Sequence, residues 1–325
     1  LLDKQAVCSY GAKTELSMEG GRIISTEPFY AYIKIAEGCS NNCTYCAIPS
    51  IRGKYRSRRM EDIVKEARWL AENGVTELVV VAQDTTRYGE DIYGKSMLPE
   101  LLTALCEIDG FKWIRTLYCY PERITDEWLD VSAKEDKLVK YLDMPRQHCN
   151  KTILKRMNRH GDRETLTALI KKIREKIPNV TLRTTLITGF PGETEEQFEE
   201  LCEFVKEIRF ERLGCFAYSP EEGTPAEKFE DQVPLKDRER RAEIIMEEQM
   251  IISDSFNEAA LDSEVEVVCE GFDRYAECYY GRSQADAPEI DGKIFFLSED
   301  KVRVGEYVKV KIDDTMDYDL IGSKM

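Results

Sequence analysis

From Tyr30 to Ser219, short runs of apolar and β-branched residues alternate with stretches whose apolar positions recur at helical spacing. Residues 30–36, 77–83, 113–119, 138–144, 181–188 and 212–218 are predicted as strands. Residues 61–73, 98–108, 126–134, 164–176 and 195–208 are predicted as helices; in the first, Ile63, Val64, Ala67 and Leu70 build one apolar face. Thr194, followed three residues later by Gln197, reads as a capping box opening the last helix. Six strand–helix units in series imply an α/β fold with a parallel sheet and right-handed crossovers. Six is fewer than the eight of a closed barrel, so an open, partial six-stranded β/α barrel is expected.

Beyond Pro234 the pattern becomes one long, highly charged helical stretch through Phe256. Short alternating strands follow at 264–269, 276–281, 293–297 and 307–312, separated by turn signals such as Asp291-Gly292 and Val304-Gly305. That spacing indicates a small all-β barrel. The expected organisation is a linker remnant over 1–27, a core domain over 28–257 and a β-barrel over 258–325. The chain starts at Leu1, and an upstream domain is expected before the linker.

Composition narrows the class. No apolar run reaches the roughly 18 residues of a membrane helix and no basic-then-apolar leader is present, so a cytoplasmic protein is expected, with no membrane partner. The 62 acidic residues against 46 basic ones disfavour a surface given over to nucleic acid and suit a basic protein partner. The excess is concentrated: residues 258–325 hold 17 acids and 8 bases, a net of −9. Eight of the eleven cysteines stand singly (Cys8, Cys106, Cys119, Cys149, Cys202, Cys215, Cys269, Cys278) and read as inert buried thiols.

The other three form Gly38-Cys39-Ser40-Asn41-Asn42-Cys43-Thr44-Tyr45-Cys46, directly after the first strand. Barrel enzymes place their active sites at this end of a strand. Three thiols at C-x3-C-x2-C spacing suit a 4Fe–4S cluster with one iron left open to a substrate. The alternative is zinc, which wants a second CxxC pair or a clear fourth ligand; neither exists, and the chain has only His148 and His160.

This loop, with Tyr45 before its third cysteine, resembles the radical S-adenosylmethionine (SAM) superfamily. So do Ala82-Gln83-Asp84-Thr85-Thr86, Tyr141-Leu142-Asp143-Met144-Pro145, Gly189-Phe190-Pro191-Gly192-Glu193-Thr194 and Tyr218-Ser219-Pro220-Glu221-Glu222-Gly223-Thr224-Pro225, which resemble its methylthiotransferase branch. The terminal barrel resembles that branch's TRAM domain. Asp286-Ala287-Pro288-Glu289-Ile290-Asp291-Gly292 and the ending Asp317-Tyr318-Asp319-Leu320 are similar to the enzymes that act on a ribosomal protein.

The resemblance implies a transferase that methylthiolates the β-carbon of an aspartate on small-subunit ribosomal protein S-twelve. Cys39, Cys43 and Cys46 would ligate the 4Fe–4S cluster, and SAM would be cleaved reductively to a hydrogen-abstracting radical. Tyr45, Gln83, Asp84, Arg183, Gly189 and Glu193 are the candidate SAM-binding residues. Flavodoxin or ferredoxin is the expected electron donor, and the TRAM barrel is expected to bind the basic ribosomal protein rather than tRNA. The family's second 4Fe–4S cluster is expected only in the full-length protein, on the N-terminal domain missing here.

Alternatives remain the same chemistry on a tRNA adenosine, or a zinc-stabilised RNA-binding module without catalysis. Arg146 stands where the family pattern has an aliphatic residue. Arg52, Lys54, Arg56, Arg58 and Arg59 form either a solvated basic face or a grip on an acidic or phosphate partner. His148 is left off the catalytic list.

Overall fold

Six parallel strands stand side by side in chain order: β1 (Tyr30–Lys34), β2 (Glu77–Val81), β3 (Trp113–Thr116), β4 (Leu138–Asp143), β5 (Thr181–Thr188) and β6 (Arg212–Ala217). They belong to a computed structural model that describes residues 18–325. Cys8 and most of the expected linker lie outside the described residues. Each expected strand exists. Several stop short of the apolar pattern that announced them, β2 at Val81 and β3 at Thr116, because there the backbone turns into loops at the rim. Tyr118 carries the departure, with a left-handed φ of 61° that no strand accommodates.

The connecting helices are α1 (Met60–Glu72), α2 (Leu98–Cys106), α3 (Asp126–Lys134), α4 (Arg163–Lys176) and α5 (Glu195–Ile208). The sheet sorts its side chains by strand alternation. Ala31, Ile33, Leu78, Val80, Ile114, Leu142, Leu182 and Leu186 pack outward against helix residues such as Ile63, Leu70, Leu101, Ile170 and Phe204. Thr194 and Gln197 close the expected capping box, and Asp162 with Thr165 makes a second one at α4 that sequence reading missed. The long charged stretch is helix α6 (Leu235–Ala259); its Gln249 side chain donates to the Phe210 carbonyl ahead of the last strand.

The C-terminal domain is a closed five-stranded barrel of β7 (Glu264–Asp273), β8 (Cys278–Arg282), β9 (Ile294–Leu297), β10 (Tyr307–Met316) and β11 (Asp319–Lys324). The fifth strand corrects the four expected from sequence. Its run Asp-Leu-Ile-Gly-Ser-Lys is short and weakly alternating, yet it pairs with both β9 and β10 and removes every sheet edge. Val267, Cys269, Ile294, Phe296, Val310 and Ile312 fill the interior.

The two domains share a core. Inside the open barrel Tyr30, Val79, Trp113, Leu117, Val139 and Tyr141 pack against Val268 and Ala287 of the C-terminal domain. Beneath them the buried Glu77 carboxylate holds Arg115 at 3.1 Å and also pairs with Arg282, whose Nε reaches Glu270 at 2.7 Å. Glu77→Ala leaves the buried Arg115 without a carboxylate and Arg282 with Glu270 alone. It should lower unfolding free energy by about 3 kcal/mol or more, measured by urea denaturation.

Candidate active site

The cysteine loop leaves the sheet just past β1, where residues Ala36–Glu37 pair antiparallel with Arg56–Ser57. Gly38 makes the turn possible: its φ is 78°, and a Cβ there would collide with the Lys54 carbonyl. The loop is then tied on all sides. The Cys39 amide donates to Gly53 at 3.1 Å, and Ser40 Oγ accepts the Tyr55 amide at 3.1 Å. The Thr44 amide donates to Met157, its hydroxyl donates to Arg156 at 2.8 Å, and its carbonyl accepts from Ala226. Asn158 Nδ2 caps the carbonyls of Asn41 and Asn42 at 3.1 and 3.0 Å. These contacts come from three separate stretches of chain.

All three thiols are unpaired by disulfide and half-buried. Burial pushes Cys39 and Cys46 above the ordinary thiol range, and the neighbouring thiols add to the shift. Among the described residues no three His, Cys, Asp or Glu side chains crowd one point as ligands of a single ion would. A cubane cluster spreads its thiolates over separate irons and needs no such convergence. The donor set therefore fits the cluster: three mutually repelling thiols, on one tethered loop, that only a cation would let ionise together.

Around the loop stand residues the sequence did not announce. Tyr120 Oη lies 3.7 Å from Cys43 Sγ. The guanidinium of Arg159 sits 3.9 Å over the Tyr120 ring, buried, and donates to the Pro145 carbonyl at 2.8 Å. It makes no salt bridge to a carboxylate among the described residues, and its charge lies beside Tyr45, Tyr120 and the Cys43 thiol. Phe190, Tyr218, Met157 and Ile153 form an apolar bed against which Tyr45 packs.

The expected cofactor residues divide into two kinds. Gln83 lies two residues past the end of β2, its Oε1 buried and without a hydrogen-bond partner, and it lines a cavity of about 400 Å³ with Tyr32, Lys34, Val81 and Tyr118. Tyr45 is half-buried beside the cysteines, its ring edge-on to Phe190. Asp84 instead works within the chain: wholly buried, it accepts from Asn41 of the cysteine loop at 2.8 Å and from Thr86 at 2.6 Å. Glu193, also buried, accepts the Gly189 amide at 2.9 Å and pairs with Arg241 at 2.8 Å, which shapes the turn after β5. Gly189 is obligatory there, with a φ of 67° and Arg238 against its missing Cβ.

Arg183 does point into the barrel, but the carboxylate it needs is Asp143, at 2.8 Å, with Asp291 of the C-terminal domain at 3.7 Å. Its charge is met inside the chain rather than awaiting SAM. His148 is fully buried, 3.5 Å from Glu193, and accepts the Asn150 amide. Arg146 is buried in an ion pair with Glu122, which accommodates the departure from an aliphatic residue. The basic stretch is not one face: Arg58 is buried between Glu19 and Glu66, while Arg52 and Arg59 are exposed.

An open six-stranded barrel with three thiols on the rim loop after its first strand defines a radical SAM enzyme. The Radical SAM superfamily model matches residues 33–205, and the TRAM domain model matches 263–324. A radical S-adenosylmethionine methyltransferase from Kitasatospora setae shares the fold over 61% of this chain and 38% of its own, with a TM-score of 0.50 and 17% identity. The chain is 50% identical over 320 residues to the ribosomal protein uS12 methylthiotransferase RimO of Clostridium tetani, covering 98% of this chain and 71% of that relative. It is 52% identical over 301 residues to the RimO of Clostridioides difficile, covering 93% and 68%. The chain belongs to the ribosomal protein uS12 methylthiotransferase family.

Two outcomes follow from this geometry. Asp84→Ala removes the anchor of Asn41, and amide hydrogen exchange over residues 39–46 should quicken about tenfold. Because Cys39 and Cys46 hold their protons above the usual range, cluster reconstitution must release them. Incorporated iron, read from visible absorption, should therefore rise as pH is raised from about 6.5 to about 8.5.

Proposed function

We propose that this chain is the catalytic and substrate-binding part of an enzyme that methylthiolates the β-carbon of an aspartate on ribosomal protein uS12. The observation that carries the reading is the tethered three-thiol loop on the rim after β1, beside the turn where Asp84 holds Asn41 and Gln83 keeps a buried acceptor without a partner. Cys39, Cys43 and Cys46 would hold a 4Fe–4S cluster, which when bound supplies the electron that cleaves SAM.

The chain's own residues do the positioning. Gln83 Oε1 offers an acceptor to an ammonium or hydroxyl of the cofactor. Tyr45 offers a ring face beside the cysteines, and the Gly189 turn, braced by Glu193 and Arg241, offers a close backbone approach. Asp84 holds the cluster loop to the sheet through Asn41, and Arg183 holds the cavity wall through Asp143. Tyr32, Val81 and Tyr118 line the cavity and limit the water that would quench a radical. Arg159 supplies positive charge beside Cys43.

The second cluster implied by the family resemblance is expected only in the full-length enzyme, because Cys8, Cys106, Cys119, Cys149, Cys202, Cys215, Cys269 and Cys278 stand singly in the sequence. The reading takes the uS12 protein as partner, with a flavodoxin or ferredoxin as electron donor and the cytoplasm as location. No helix among the described residues is long and apolar enough to cross a membrane. The acidic C-terminal domain favours a basic protein over tRNA.

The test begins with anaerobic reconstitution of this chain. About four irons per chain and reductive SAM cleavage are expected, both lost in Cys43→Ala. Zinc without iron would support the non-catalytic alternative. Full-length enzyme should then add a methylthio group to uS12, seen by mass spectrometry. Methylthiolated tRNA with unmodified uS12 would reverse the choice of substrate.

A further inference from the structure

The segment between β8 and β9, residues 283–293, leaves the C-terminal barrel and rises inside the open β/α barrel. Its base is locked. Asp286 pairs with Arg212 of β6 at 2.6 Å while accepting the Ser283 hydroxyl at 2.8 Å. Asp291 accepts the Tyr141 hydroxyl at 2.6 Å and the Ala287 amide at 2.8 Å, and lies 3.7 Å from Arg183. Arg115 donates to the Gln284 carbonyl at 2.9 Å, and the Tyr32 hydroxyl donates to the Pro288 carbonyl at 3.4 Å.

The tip behaves differently. Glu289 and Ile290 are exposed and line the cavity that holds Gln83. Ile290 also lines a second cavity of about 430 Å³ with Phe216 of β6, itself 61% exposed. Of the segment's three carboxylates, Asp286 and Asp291 face arginines. Glu289 makes no ion pair among the described residues and touches only the Tyr30 hydroxyl, at 3.2 Å. Its backbone sits at a φ of 62°, a left-handed conformation costly for glutamate, and Tyr118 across the same cavity sits at 61°. Two such residues facing one space are the mark of a site whose shape is held for a purpose.

We propose that Glu289 and Ile290 form the floor of the reaction cavity and read the protein substrate next to the residue being modified. Glu289 takes a cationic side chain flanking the target, and Ile290 with Phe216 takes an apolar neighbour. Gln83 lines one side of this cavity and Glu289 with Ile290 the other, and none of its lining residues belongs to the cysteine loop, so the side formed by the 283–293 segment is free to meet what enters the barrel. An unpaired carboxylate in a half-enclosed space selects positive charge, and a basic ribosomal protein brings it. The inference rests on the reading above and names the residues by which that substrate is recognised.

The experiment uses reconstituted full-length enzyme and two substrates, uS12 and a uS12 variant in which the residues flanking the modified aspartate are changed to Glu. Glu289→Lys should lose about tenfold in kcat/KM on uS12 and regain about tenfold on the charge-reversed variant. Glu289→Gln should weaken uS12 binding about fivefold, measured as Kd without SAM. Equal loss on both substrates, or a raised KM for SAM with uS12 binding unmoved, overturns the inference. Wild-type enzyme that neither binds nor modifies uS12 overturns the parent reading and this one together. Wild-type enzyme that modifies uS12 while neither Glu289 variant discriminates overturns this one alone.

Discussion

Glu77 opens the second strand with nothing of its side chain exposed, between Arg115 of the neighbouring strand and Arg282 of the C-terminal barrel. A carboxylate in that position is tolerable only with its cations in place, and the cations only with the carboxylate. One of the three comes from the other domain. The open barrel therefore cannot satisfy its own interior. It depends on a second domain docking at a fixed angle, and every residue on the 283–293 segment takes its position from that docking. The aromatic and aliphatic contacts of Tyr30, Trp113 and Tyr141 with Val268 and Ala287 add area, but the charges fix the register.

At the other end of the strands the problem is reversed. The cysteine loop must hold three thiols apart and partly accessible, so it cannot be packed into the core. It is fastened by backbone amides, hydroxyls and carboxamides instead, with Asp84, Asn158 and Thr44 as the posts. Such polar tethers keep a loop in place without burying it. The molecule thus uses ion pairs below and hydrogen bonds above, with the cavity between them.

Most of the framework was legible because periodicity reports burial directly. Six strands and their helices were readable from alternation and helical spacing, and the C-x3-C-x2-C loop from its spacing alone. What escaped reading depends on partners distant in sequence. Strand β11 has too little alternation to stand out, and exists because β9 and β10 flank it. Arg183 was expected as a cofactor-binding residue, and nothing local says that Asp143 meets its charge. Asp84 and Glu193 were recognisable as site residues, yet their work is to brace Asn41 and Gly189. Tyr120 and Arg159 carried no signal, since an aromatic and an arginine in loops are ordinary. The Asp286–Gly292 motif was visible as a signature, while its place inside the other domain was not.

That last placement bears on how the chain is made. Synthesis delivers the six strands first, yet Arg115 and Arg212 receive the Gln284 carbonyl and Asp286 only from the 283–293 segment that follows. Until that segment emerges, Arg212 lacks Asp286, Arg115 has Glu77 alone, and the apolar layer between the domains is incomplete. The core domain is consequently a poor stopping point for folding, and a ribosome stalled before residue 291 would carry a soft, sticky intermediate. Completion of the fold also completes the cavity between Gln83 and the Glu289–Ile290 tip, so a chain truncated late in synthesis is left with that cavity open on one side.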